Sequence, residues 1–194
     1  MRNQELFKDL DGYIKVNMIN DITCSRKLKE KVDMKSLTYG TTPFNTFKKI
    51  YEKVQIKPNR FIVVGCSIGW MNFYFNELNP NIKTIGIDIH DNRVSFGNEL
   101  INKYSLNNIE LKLESFEEFQ FMDGDLIWQS NLCFPKEKTL IYNEKLFNER
   151  NNISIISYVS LNRLSIIKDL NHVRMALPVS WYDKQNFHIY EKSI

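Results

Sequence analysis

The chain is poor in cysteine and glycine, and it lacks any long apolar run. Its three cysteines, Cys24, Cys66 and Cys133, form no C-x-x-C pair, and their number is odd. That argues against a disulfide framework or a zinc site, and it points to a reducing compartment. No segment approaches the roughly 18 uncharged apolar residues that a membrane span needs. The polar start, Met1-Arg2-Asn3-Gln4-Glu5, has no apolar stretch behind it to serve as a leader. The expectation is a soluble intracellular protein, cytoplasmic or else nuclear, with no membrane partner. Charge of either sign is not in large excess. The net charge of +3 leaves direct nucleic-acid binding unsupported.

What the chain does have is length and aromatic residues. Its 194 residues suffice for one domain with a core. Its 13 Phe and 9 Tyr suit core packing, with some rings left to line a pocket.

One stretch organises the rest. Phe61-Ile62-Val63-Val64 reads as a buried strand that stops at Gly65. Cys66-Ser67-Ile68-Gly69 then leads into a helix near Met71. Before it, Thr42 is expected to cap a helix with Pro43 at its first position. Phe44, Phe47, Ile50, Tyr51 and Val54 recur there at helical spacing. After it, strands are expected over 82–89, 109–113, 125–129 and 153–159. Helices are expected over 91–104, capped by Asp91, and over 136–149. A closing pair of strands is expected near 173–179 and 187–190. Such alternation predicts an α/β domain with a mainly parallel sheet. Residues 1–36 read as a separate N-terminal extension. Leu10, Tyr13, Ile14, Val16, Met18 and Ile19 have mixed periodicity, and Arg26, Lys27, Lys29, Lys31 and Lys35 form a basic run broken by Glu30 and Asp33. That run reads as a solvated face, with a lip for an acidic partner as the alternative.

In such a fold the ligand crevice lies at the carboxyl ends of the strands. Gly65 to Gly69, Asp88, Glu114 to Phe116 and Ser130 to Pro135 fall there. A carboxylate ending the second strand, at Asp88, suits the two hydroxyls of a ribose. The loop reads G-C-S-I-G rather than G-x-G-x-x-G, so a pyrophosphate cradle is not indicated. A nucleoside cofactor without phosphates fits better, and S-adenosylmethionine is the common one.

Five pieces then occur in one order: Thr38-Tyr39-Gly40-Thr41-Thr42, Phe61 to Gly69, Gly86-Ile87-Asp88, Gln129-Ser130-Asn131-Leu132-Cys133-Phe134-Pro135 and Val179-Ser180-Trp181. This order resembles the catalytic domain of the Dot1 family, which are class I S-adenosylmethionine-dependent methyltransferases that modify lysine on a histone core surface without a SET domain. The resemblance implies a Rossmann-like domain over 37–194 with helices on both faces of the sheet. It implies that Tyr39 and Thr42 cover the methionine end of the cofactor. Gly65, Cys66, Ser67 and Gly69 border its amino-acid part. Asp88 and the adjacent Ile89 serve the ribose side, and Ser115 and Phe116 flank the adenine. Asn131 and Phe134 lie beside the transferring methyl, and Trp181 walls the acceptor channel, so that these three form the expected catalytic set. The implied acceptor is a protein lysine, with the histone or nucleosome as a candidate partner. The alternatives are a class I enzyme for a small molecule or a non-histone protein, and a non-catalytic binding module.

The chain departs from the pattern in four places. Thr41 stands for an acid, Ser130 for an asparagine, Asp88 for a glutamate and His188 for a late aromatic residue. Methyl transfer is an in-line displacement, so positioning is the main work of the protein. Phe134, Trp181 and Tyr182 are expected to build an aromatic channel, with Asn131 orienting the nucleophile or the cofactor. His188 is expected to be structural rather than a proton acceptor, and Cys66 and Cys133 to be small buried residues.

Overall fold

A computed structural model describes residues 4–12 and 41–193. Tyr39, the basic run over 24–35 and the expected boundary at residue 36 lie outside the described residues. The elements are α1 (residues 4–12), α2 (Phe44–Tyr51), β1 (Arg60–Val64), α3 (Trp70–Leu78), β2 (Lys83–Asp88), α4 (Asp91–Lys103), β3 (Ile109–Leu113), β4 (Asp125–Gln129), α5 (Lys136–Glu149), β5 (Ile153–Ser157), β6 (Asn171–Val179) and β7 (Tyr182–Lys192).

The seven strands form one sheet in the order β3-β2-β1-β4-β5-β7-β6. Strands β1 to β5 pair in parallel, and β7 runs antiparallel to both β5 and β6. The expected α/β architecture is therefore the observed one. Its cause is visible residue by residue in the central strands. Phe61 and Val63 enter one buried cluster, together with Leu126 and Trp128. Ile62, Val64, Ile85, Ile87 and Ile127 enter the other. Period-two alternation thus feeds two cores, one on each side of the sheet. Helices α1 to α4 contribute to the first core and α5 to the second. Burying each such side chain contributes roughly 1.5–3 kcal/mol.

Helix α1 docks on the first core through Leu6, Phe7 and Leu10. Phe7 stacks on Tyr74 at 5.4 Å. Asp9 accepts hydrogen bonds from Lys103 at 2.6 Å and from the Tyr104 hydroxyl at 2.7 Å, and that from Lys103 holds the Asp9 carboxyl below its ordinary range.

Two local expectations are corrected. Thr42 does not cap α2. Pro43 takes the cap position in extended geometry, and its carbonyl accepts the Phe47 N–H. The Thr42 hydroxyl is 2.6 Å from that of Tyr158 instead. Asp91 is the first residue of α4 rather than its cap, which is His90. The closing strands are also longer than expected, and β5 ends at Ser157. It ends there because the next two N–H groups turn to side chains: Tyr158 N–H to Asn131 Oδ1 and Val159 N–H to Ser157 Oγ.

At the amino ends of β1 and β4, Arg60 Nε and Nη2 donate to the two oxygens of fully buried Asp125, at 2.8 and 2.7 Å. Such a bidentate pair costs most when one partner alone is removed. Arg60→Met should therefore lower the unfolding free energy by about 3–5 kcal/mol in a urea titration, and Arg60→Met with Asp125→Leu should recover most of it.

On the outer strands, His188 is not a lone histidine. Its Nδ1 lies 3.1 Å from His172 Nε2, and His172 stacks on Tyr190 at 4.4 Å. Burial, then the nearby His172 and Arg174, push the His188 imidazole down to about 4 from an ordinary 6.5. The unfolded chain then binds more protons than the folded one between those values. Thermal midpoints should hold steady above about pH 6.5 and fall as the pH drops from there toward about 4. His188→Gln should flatten that fall in melts collected across this range.

Candidate functional site

The chain reverses its direction of travel across the sheet between β1 and β4, since β2 and β3 lie on one side of β1 and β4 and β5 on the other. A crevice opens outside the carboxyl ends of strands at such a switch. The structure gathers most of the expected residues there.

Gly65 and Cys66 both donate their N–H to the Ile87 carbonyl, at 2.9 and 3.1 Å, which splices the loop onto β2. Gly65 has φ +73°, and a Cβ on it would meet the Phe134 ring at 3.1 Å and Ser130 Cβ at 3.4 Å. The absent side chain thus leaves room for the loop after β4 to close over the end of β1. Ser67 also takes a left-handed conformation, φ 53°. Its N–H donates to Asp88 Oδ2 at 2.7 Å, and the His90 N–H donates to Asp88 Oδ1 at 3.0 Å. The Ser67 Oγ is buried and has no hydrogen-bond partner among the described residues. Gly69, φ +94°, caps α3 and packs against Leu111 and Phe73.

Cys66 is the small buried residue expected: its side chain lies toward Gly86 beneath the loop, which leaves only its backbone to border the crevice. Burial pushes its thiol well above the usual range, and the Asp88 charge adds to this. It stays protonated and is no nucleophile.

Beyond Asp88, Ile89 is 42% exposed. The Glu114 N–H donates to the Asp88 carbonyl at 3.0 Å and brings the turn after β3 alongside. In that turn the Ser115 hydroxyl donates to Glu118, and the half-buried Phe116 meets Phe121 and Tyr142 edge to face.

Asn131 is placed at the end of β4, but its amide does not face the crevice. It is 1% exposed. Its Nδ2 donates to Gln129 Oε1 at 3.1 Å and to Ser157 Oγ at 2.8 Å, and its Oδ1 accepts the Tyr158 N–H at 3.2 Å. Both donors of the amide are spent inside the protein. The expected orienting role of this side chain is therefore corrected to a structural one. The aromatic ring three residues on, Phe134, is the part of the segment that faces Gly65.

On the far side, three segments meet. The Thr41 N–H donates to Ser180 Oγ at 2.9 Å, and the Ser180 N–H donates to the Thr41 carbonyl at 3.0 Å. Thr42 pairs with Tyr158, and Tyr158 packs against Trp181 at 6.0 Å. Trp181 is 43% exposed and Tyr182 59%. Burial pushes the Tyr158 phenol up to about 12, so it remains protonated. The segments 130–134, 157–159 and 179–182 contain no charged residue.

Sequence reading did not single out Gln129, Asn143, Ser157 or Tyr158 as site residues. A signal existed for the first: Gln129 closes the wholly buried strand Asp125–Gln129, where an apolar residue would be expected. Among the described residues, no cluster of three or more His, Cys, Asp or Glu side chains could hold a metal ion, and no helix is long and apolar enough to cross a membrane.

If Asp88 fixes the loop, its removal should be seen locally. In Asp88→Ala the amides of Ser67 and His90 should exchange with deuterium at least tenfold faster, about 1.4 kcal/mol in local opening, while amides of β4 stay unchanged. Unchanged exchange at Ser67 would refute the bridge.

No protein-family model matches the chain. It is 27% identical over 111 residues to the uncharacterized protein RP028 of Rickettsia prowazekii, covering 53% of this chain and 43% of that one. Among solved structures it is similar to M. capricolum TrmK in complex with S-adenosylhomocysteine, with 14% identity, 76% of this chain and 66% of that one covered, and a TM-score of 0.57. It is also similar to a dimethyladenosine transferase from Plasmodium falciparum, with 15% identity, 80% and 64% coverage, and a TM-score of 0.59. The chain spans less than half the length of the curated relative and somewhat under two thirds of these two structures. At such identities the likeness is one of fold, and the chain has the Rossmann-like fold of class I methyltransferases.

Proposed function

We propose that this chain is an S-adenosylmethionine-dependent methyltransferase, and that its acceptor is a protein lysine, as the resemblance to Dot1 implies. The observation that carries the first part is the crevice at the β1–β4 switch, with a carboxylate at one end and an aromatic ring at the other. Its chemistry fits the cofactor. Asp88 keeps lone pairs for ribose hydroxyls, because each oxygen accepts one backbone N–H. The orphaned Ser67 Oγ supplies a polar contact for the amino-acid part. Residues 65–69 carry no basic side chain, which disfavours a phosphate. Gly65, Ser67 and Gly69 would border the amino-acid part, Ile89, Ser115 and Phe116 the nucleoside, and Phe134 the methyl end. When bound, the cofactor supplies a methyl group activated on a sulfonium.

On this reading the described residues around the crevice position and desolvate, and Tyr158 and Cys66, which stay protonated at neutral pH, are not its bases. The nucleophile would then arrive neutral. The charge-free acceptor side favours this, because desolvation lowers the pKa of an amine. Trp181 and Tyr182 offer ring faces to an aliphatic stem and to a cationic product. Histones and nucleosomes are the first acceptors to try. One observation favours a second reading, a class I enzyme with a different acceptor: Ser130 replaces the asparagine of the Dot1 pattern, and Asn131 is turned inward.

Calorimetry with S-adenosylmethionine tests the cofactor. Binding should be measurable, and Asp88→Ala should weaken it at least tenfold, about 1.4 kcal/mol. No binding to the wild-type protein would sink the reading. Labelled methyl transferred to recombinant nucleosomes, and lost in Trp181→Ala, would support lysine. Transfer only to small molecules would support the second reading.

A further inference from the structure

Beneath the crevice lies a closed set of buried polar side chains: Gln129, Asn131, Asn143 and Ser157, none more than 1% exposed. Gln129 Nε2 donates to Asn143 Oδ1 at 2.6 Å. Gln129 Oε1 accepts from Asn143 Nδ2 at 3.2 Å and from Asn131 Nδ2 at 3.1 Å. Asn143 Nδ2 also donates to the Thr139 carbonyl at 2.8 Å, one turn back on α5. Ser157 accepts from Asn131 and donates to the Val159 carbonyl at 2.6 Å. The set joins β4, α5 and the end of β5.

Its position gives it a purpose beyond stability. An interior needs no four linked polar groups to hold three elements together, and apolar residues of the same shape would be nearly neutral. What the set does hold is a ledge. Residues 130–134 leave β4, make a 3-10 turn over Asn131–Cys133, and return Phe134 to lie over Gly65. The Ser130 N–H donates to the Val64 carbonyl at 2.9 Å, so the root of the ledge is pinned to β1. Among the described residues its middle is pinned through the Asn131 amide, and that amide is aimed by Gln129, which is aimed by Asn143.

The geometry points to Gln129 and Asn143 as positioning residues that set the height of the Phe134 ledge above Gly65, and through it the fit of the cofactor's methyl end. This rests on the cofactor reading given above. Neither residue touches the crevice; both act through Asn131. The consequence is selective. The ribose and amino-acid part are served by Asp88 and Ser67, on the other side of β1. A change in the ledge should leave those contacts alone and alter only the region around the sulfonium.

S-adenosylmethionine and S-adenosylhomocysteine differ by that methyl group and its charge, so the ratio of their dissociation constants reads the ledge without any acceptor. In calorimetry on the full chain, Asn143→Leu should leave the S-adenosylhomocysteine constant within about twofold of wild type and raise that for S-adenosylmethionine at least fivefold. Ser157→Ala, which removes the outer acceptor of Asn131 together with the hydroxyl's two bonds to Val159 but leaves the Gln129 bond in place, should shift the ratio in the same direction by less. It carries the test alone if Asn143→Leu does not fold. Equal weakening of both ligands, or no change in either, would show a merely structural network and overturn the assignment. A wild-type protein that binds neither ligand would overturn the cofactor reading itself, and with it this one.

Discussion

The site depends on one hydrogen bond, from the Ser67 N–H to the Asp88 carboxylate at 2.7 Å. Strand β1 is buried on both faces, so its backbone polar groups are satisfied only by neighbouring strands. Where it ends, the chain must turn sharply without leaving donors stranded. Gly65 and Cys66 solve half of this by donating to Ile87, and Ser67 solves the rest by donating to Asp88. A carboxylate suits the task because one oxygen can take the loop and the other the His90 N–H, and each still has a lone pair to present outward. On the proposed reading, the same charge that shapes the loop would also be offered to a ligand, so that one residue would serve both.

On the other side of β1 the protein uses amides instead of a charge. A buried carboxylate among Gln129, Asn143 and Ser157 would need a cation to offset its desolvation. Neutral amides carry donors and acceptors together, so the set closes on itself without one. This explains why Asn131 could be recognised as a motif residue and yet be assigned the wrong direction. Its type and its place at the end of β4 are written in the sequence. The direction of its amide is decided by Gln129 and Ser157, two and 26 residues away, and by no local pattern.

The same distinction governs how much was legible elsewhere. The central strands announced themselves, because Phe61 to Val64 and Leu126 to Trp128 are apolar enough to be buried on both faces. Glycines 65 and 69 and Asp88 follow from what a strand-to-helix turn requires. The closing hairpin was read short because its exposed start, Tyr182 to Lys184, carries no alternation to read. Helix α1 was obscured since its buried residues, Leu6, Phe7 and Leu10, make only one turn of pattern. Thr42 was taken for a helix cap by its position before Pro43. Its hydroxyl found a partner 116 residues on, in Tyr158, which the local sequence does not announce. His188 was met as a lone histidine, and only the register of β6 on β7 sets it beside His172.

The two departures that most weaken the Dot1 pattern in sequence, Thr41 and Ser130, weigh less once their contacts are known. Thr41 joins the β6–β7 turn through its own N–H and carbonyl, both to Ser180. Any residue carries those two groups, so the clasp does not require the acid of the pattern. Ser130 meets the space above Gly65 with its Cβ, an atom that asparagine also has. Both contacts survive the change of side chain. The neighbouring segments 130–134, 157–159 and 179–182 are free of charge. On the reading proposed above, the Asp88 end of the crevice would offer polar groups to a cofactor, and the other end would offer shape and ring faces to an acceptor. Discrimination between acceptors would then rest on Phe134, Tyr158, Trp181 and Tyr182, and on how closely a nucleophile without its proton fits among them.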